Sequence, residues 1–222
     1  MQIEALANYI FAAMISWTPL SSLTAYGETE DQVRERFKTI ATDIASGSLE
    51  GDAIFTSAGG RARTALLLAS IGSFEGGWQR FVEEGACNKS GFHADRRGSC
   101  DGGHAFTSWQ IHIAGGGFLY VDGRLTNKMY ASKYAAEHPD EIIDGARLLA
   151  DRHLAVRVAK DLIIETRSTG CTLCGYSGES PYGAHPKADA RLDRAKEYWA
   201  RHPYVEPQES ASSTDPRLTE NP

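Results

Sequence analysis

No run of apolar residues in this 222-residue chain approaches the roughly 20 that a helix needs to cross a bilayer, so no membrane span is expected. An excess of positive charge is missing too. The chain has 23 lysines and arginines against 29 aspartates and glutamates, and a formal charge of -6 gives no electrostatic reason to bind nucleic acid or an anionic membrane. The N-terminus reads MQIEALANYIF, acidic where a secretory signal is basic, and no Sec-type signal is expected. Walker, Gly-x-Gly-x-x-Gly and His-Glu-x-x-His patterns are absent, as are internal repeats, which removes the motif evidence for nucleotide binding and for a zincin protease. No metal or organic cofactor is expected. Proline is scarce, with 8 residues, and cysteine scarcer, with 4. Against these absences stand 41% hydrophobic residues, enough for a packed core, and 22 glycines, fifteen of which fall between Gly51 and Gly123.

Ile3, Leu6, Ile10, Met14 and Trp17 recur at steps of three and four, the stripe of an amphipathic helix that ends before Pro19. Thr29-Glu30-Asp31-Gln32 matches a capping box for a second helix, with Val33, Phe37, Ile40 and Ile44 on one face and Gly47 and Gly51 closing it. A third, much more apolar helix runs from about Arg61 through ARTALLLASIGSFE to Gly76-Gly77 and is the natural central helix. From about Gly85 to Gly123 the helical period disappears, leaving loops around one short strand. There Trp109, Ile111 and Ile113 alternate with Ser108, Gln110 and His112, which puts three polar side chains on one face as a candidate cleft wall. Helical patterning returns after Asn127, with a long segment from Pro139 to about Thr166 kinked near Gly145, and a last helix from Lys187 to Arg201. Residues 203–222 hold four prolines and four acidic residues against Arg217, and read as an extended tail. The helical spacing, with one short strand, predicts one mostly α-helical α+β domain over residues 1–202, with N-terminal helices over 1–50.

Within the central helix, Leu68, Ile71 and Glu75 lie three and four residues apart, so an acidic side chain shares the most apolar stripe of the chain. Glu75 also occupies the last turn, where the helix dipole disfavours an anion. Burial and dipole both favour the protonated acid. A carboxylic acid that keeps its proton near neutral pH suits a general acid that protonates a leaving oxygen. A glutamate that reaches water from a fraying helix end is the alternative.

The run ALLLASIGSFEGGW, a glycine-rich segment and then GGHAFTSWQIH together resemble the lysozyme-like superfamily, particularly soluble lytic transglycosylases and goose-type lysozymes. Glu75 matches the catalytic glutamate that ends a helix in that family, Trp109-Gln110-Ile111 matches a motif whose glutamine lines the sugar cleft, and Gly175-Tyr176-Ser177-Gly178 resembles a later tyrosine turn. The three motifs cover roughly residues 61 to 180. The resemblance implies a helical lobe facing a small loop and β lobe across a cleft that takes peptidoglycan glycan strands. The cleaved bond is the β-1,4 link between N-acetylmuramic acid and N-acetylglucosamine. Glu75 is then acid and base, Gln110 and Tyr176 bind glycan, and Ser108, Trp109 and His112 are further candidates. The chain departs from the family in the 35-residue step from Glu75 to Gln110 and in having His112 where goose-type lysozymes often place an aspartate. A hydrolase needs a second carboxylate, for which Asp95 and Asp101 are candidates, whereas a transglycosylase needs only Glu75. A lysozyme-fold part of a larger assembly that no longer catalyses, such as a phage or secretion particle contacting the tail, is the competing expectation. The wall chemistry that the resemblance implies makes a site of action outside the cytoplasm, in the periplasm, cell wall or virion, the expectation.

Cys87 and Cys100 bracket the polar insert NKSGFHADRRGS, which a disulfide would staple, and Cys171-Thr172-Leu173-Cys174 has half of a zinc-knuckle spacing. Disulfides with three pairings open and free thiols both fit, and a four-cysteine zinc site is the weaker match because Cys87 and Cys100 are separated by twelve residues and not by two to four. A disulfide implies an oxidising destination. Cys100 with His104 and His112 also allows a cysteine peptidase, although no family signature surrounds it.

Overall fold

A computed structural model describes residues 3–89, 100–113, 116–126, 128–167 and 186–207, and shows a mainly helical α+β fold. Helix α1 (Ile3–Trp17) buries Leu6, Ile10 and Met14 against α2 (Glu30–Leu49). The capping box at the start of α2 forms as the spacing predicts. Thr29 Oγ1 accepts from Gln32 N at 3.3 Å, and Gln32 Oε1 accepts from Thr29 N at 2.8 Å. Gly47 does not close α2 but lies inside it, buried. A Cβ there would fall 2.7 Å from Val156 Cγ1, so glycine is what lets α2 and α7 (Arg152–Arg167) pack at that crossing.

Helix α3 (Gly60–Glu75) is the centre of the molecule, touching α1, α2, α7 and α8 (Pro186–Arg201). Because it packs against four helices, Leu66, Leu67, Leu68 and Ile71 are all buried although they point in successive directions around its axis. Each such side chain contributes about 1.5–3 kcal/mol relative to exposure.

The small lobe is built from a short helix, α4 (Arg80–Glu83), and two hairpins. Strand β1 (Ala105–Phe106) pairs antiparallel with β2 (Ile111–His112), and β3 (Tyr120–Val121) pairs with β4 (Arg124–Leu125) through Asp122 and Gly123, both at positive φ as a tight hairpin turn requires. Helix α5 (Lys128–Tyr134) follows.

The expected long helix from Pro139 starts only at α6 (Gly145–Ala150), after Ile143 has paired with Phe118. It breaks at Asp151, not at Gly145. Two aspartates explain both boundaries: Asp144 Oδ1 accepts from Arg147 N at 2.9 Å, and Asp151 Oδ1 accepts from Leu154 N at 2.9 Å, so each caps a new helix start. Among the described residues no helix is long and apolar enough to cross a membrane.

Candidate active site

Helix α3 ends abruptly because Gly76 N and Gly77 N both turn back to Gly72 O, at 3.1 and 3.0 Å, and Gly77 takes φ +57°. The reversal folds the Trp78 indole under the helix end, in edge contact with Trp109 at 5.8 Å between centroids. A Cβ on Gly76 would sit 2.5 Å from Ser108 Cα, so the close approach of the helix end to the β1–β2 turn depends on glycine. These contacts fix Glu75 at the wall of a cleft of about 490 Å³, which Phe81, Cys100, Asp101 and Gln110 also line. Two residues expected from the sequence to act together, Glu75 and Gln110, 35 positions apart, therefore line the same cleft, as does Asp101.

The expected strand through Ser108 is instead the turn Thr107 to Gln110, with positive φ at Thr107 (62°) and Gln110 (46°), and only Ile111–His112 is extended. Period-two alternation therefore does not apply, and the three polar residues separate. Ser108 is fully buried, and both its N–H (3.1 Å) and its hydroxyl donate to Glu83 Oε1, so it is not a cleft residue. Trp109 is fully buried as well and donates from its indole to Leu68 O at 3.0 Å, which makes it a core residue and not a sugar platform. His112 is exposed on β2 with Nδ1 3.3 Å from Asp101 Oδ2. Gln110 is half-buried, and its amide nitrogen donates to Thr107 O at 2.9 Å and to Cys100 Sγ at 3.6 Å. Asp95, Tyr176, Cys171 and Cys174 lie outside the described residues.

Cys87 and Cys100 form a disulfide, with Cα atoms 5.3 Å apart, which removes both from a four-cysteine zinc site and Cys100 from thiol catalysis. Asn88 braces the same junction, donating to Gly103 O (3.0 Å) and Ala105 O (2.7 Å). Since Cys100 lines the cleft, the bridge ties one cleft wall to the segment after α4. Replacing both cysteines by serine is expected to remove about 3 kcal/mol by the loop-entropy relation and to lower the Tm by about 6–12 °C, read by thermal unfolding with and without reductant.

Several charged side chains that the sequence reading did not single out pair around the site. Glu83 has a 3% exposed side chain, and its Oε2 accepts from Arg152 Nε at 2.7 Å, while Arg152 Nη1 donates to Asp43 Oδ2 at 3.0 Å. Burial works against the Arg152 cation, but Glu83 and Asp43 outweigh it and hold the guanidinium above its ordinary range. At the cleft itself, Arg191 Nη2 donates to Glu75 Oε1, with 5% and 18% of the two side chains exposed. Arg194, one turn on, donates to Ser73 Oγ at 2.8 Å and lies 3.9 Å from the Phe74 ring centroid, and burial pushes its guanidinium down. A guanidinium on a carboxylate favours the charged form, which opposes the burial and dipole effects expected from sequence. A signal for Arg191 existed: it lies four residues before Ala195 and seven before Tyr198, on the buried face of α8.

Comparisons with protein-family models, with curated proteins and with solved structures find no match to this chain.

Proposed function

We propose that the chain is a lysozyme-like enzyme that cleaves the β-1,4 bond between N-acetylmuramic acid and N-acetylglucosamine in peptidoglycan, as a lytic transglycosylase with Glu75 as acid and base. The observation that carries the reading is the junction of Glu75, at the end of a buried helix, with Gln110 on one open cleft, in the order that the resemblance implies. Glu75 gives its proton to the bridging oxygen as the C1–O bond breaks and the bonding pair goes to that oxygen, so the N-acetylglucosamine side leaves with a 4-hydroxyl. The muramyl C6 hydroxyl oxygen then bonds to C1, and its proton returns to Glu75. No water is consumed, and the product is a 1,6-anhydro sugar.

Hydrolysis is the fork in this reading, and Asp101 decides it. Its side chain is 67% exposed and, among the described residues, contacts only His112, a loose arrangement for ordering a water. Mass spectrometry of fragments released from purified sacculi separates the two: 1,6-anhydro ends, lighter by one water, are expected, and reducing muramic acid ends would move the assignment to a muramidase using Asp101. A second reading, a lysozyme-fold binding part of a larger assembly without catalysis, is favoured by one observation, the Arg191 guanidinium on Glu75. Sedimentation with sacculi in the absence of any released fragment would establish it over the enzyme.

A further inference from the structure

Arg191 is built into the site in a way that a packing residue of α8 does not require. Its backbone is pinned to the central helix, because Ser70 Oγ donates to Arg191 O at 2.7 Å and both groups are buried. Its side chain is 5% exposed, and Nη2 donates to Glu75, while Nε and Nη1 are buried with no hydrogen-bond partner among the described residues. The guanidinium is therefore held by Glu75 and by the face of Phe74, 5.7 Å away. Arg152 makes the contrast, since its Nε and Nη1 both find carboxylates. Burying a cation with two donors unused is unfavourable, and an apolar residue would pack α8 on α3 at lower cost.

We infer that Arg191 is the positioning residue of Glu75, fixing the carboxylate at the cleft wall and, by favouring its charged form, setting how acidic the medium must be for Glu75 to carry a proton. Other charged groups border the carboxylate. Arg194 on α8 is bonded to Ser73 and stacks toward Phe74, and Asp101 lines the same cleft with His112 in contact with it. Arg191 is bonded directly to Glu75, so its charge acts at the shortest range. The catalytic consequence rests on the reading of Glu75 as acid and base, but the positioning role is testable without it.

The test is a carbon-13 NMR titration of the Glu75 side-chain carboxyl, identified by its loss in Glu75→Gln, in the parent protein, in Arg191→Met and Arg191→Gln, and in Arg194→Gln as control. Both neutral replacements of Arg191 are expected to raise the Glu75 midpoint by about 1–3 pH units, with the control unmoved. In sacculus cleavage, the basic limb of kcat/KM is expected to move upward by the same interval. A merely structural Arg191 would leave the Glu75 titration in place and depress kcat/KM equally at every pH, and that result overturns the inference. If neither replacement folds, the parent protein still decides: a midpoint below the ordinary glutamate range supports the role, and one at or above it overturns the role. Activity retained in Glu75→Gln together with a shifted titration would remove the proposed function and leave the positioning role standing.

Discussion

Glu75→Gln is expected to lower sacculus cleavage by at least about 10²–10⁴-fold while leaving a folded protein, because the amide keeps the shape of the acid and cannot donate the proton that the leaving oxygen needs. The substitution is cleaner than Glu75→Ala at this position. An alanine would leave Arg191, 5% exposed, with no acceptor among the described residues, whereas the glutamine carbonyl still accepts from Nη2. Some stability is nevertheless lost, since a neutral amide no longer balances a buried cation, and melting curves of both proteins belong beside the rates. The assay is run well below the lower of the two Tm values. Folded Glu75→Gln that clears a cell-wall gel at the parental rate would end the assignment of Glu75 as the acid. The opposite control is Asp101→Asn, which in a transglycosylase leaves the rate within a few-fold and in a hydrolase does not.

How much of this was legible in the sequence depended on whether a single local rule governed the residues. The α1 stripe, the Thr29 capping box and the glycine-terminated α3 obey helical periodicity and capping chemistry that neighbouring side chains do not overrule, and each appears where the spacing places it. Cys87 and Cys100 were one of three pairings that spacing alone could not separate, and the fold brings them together. Period two misled at Ser108 to Ile113 because Thr107 and Gln110 take left-handed backbone conformations, which turn successive side chains in unrelated directions. The β3–β4 hairpin carried a signal that went unused, the Asp122-Gly123 pair between Val121 and Arg124. The charged pairs were not legible in the same sense. Glu83 and Arg152 are 69 positions apart and Glu75 and Arg191 116 apart, and no local pattern links residues whose contact is created by the packing of four helices.

The largest loss of stability is expected at Glu83, not at Glu75. Its two oxygens receive the Ser108 N–H, the Ser108 hydroxyl and Arg152 Nε, and Arg152 carries the link on to Asp43 of α2. One 3% exposed carboxylate thus joins α4, the β1–β2 turn, α7 and, through Arg152, α2. The disulfide cannot substitute for it, because Cys87 and Cys100 secure the segment after α4 and leave the turn at Ser108 untouched. Glu83→Ala strands a buried backbone N–H and leaves the Arg152 cation with Asp43 alone, so a loss of about 3–5 kcal/mol is expected, or about 6–20 °C in Tm. Urea unfolding with an unchanged slope would assign the loss to the folded state, and a loss under about 1 kcal/mol would show that water replaces the carboxylate. Pairing Glu83→Gln with Arg152→Met sharpens the reading. With the cation gone, a neutral amide can still accept from Ser108, and the double variant is expected to recover part of what Glu83→Gln alone loses. Because Phe81 of α4 and Gln110 of the turn line the same cleft as Glu75, the same substitution is also expected to loosen that part of the cleft. Cleavage in Glu83→Ala should therefore fall at temperatures where the protein is still folded, through a raised KM and a lowered kcat together.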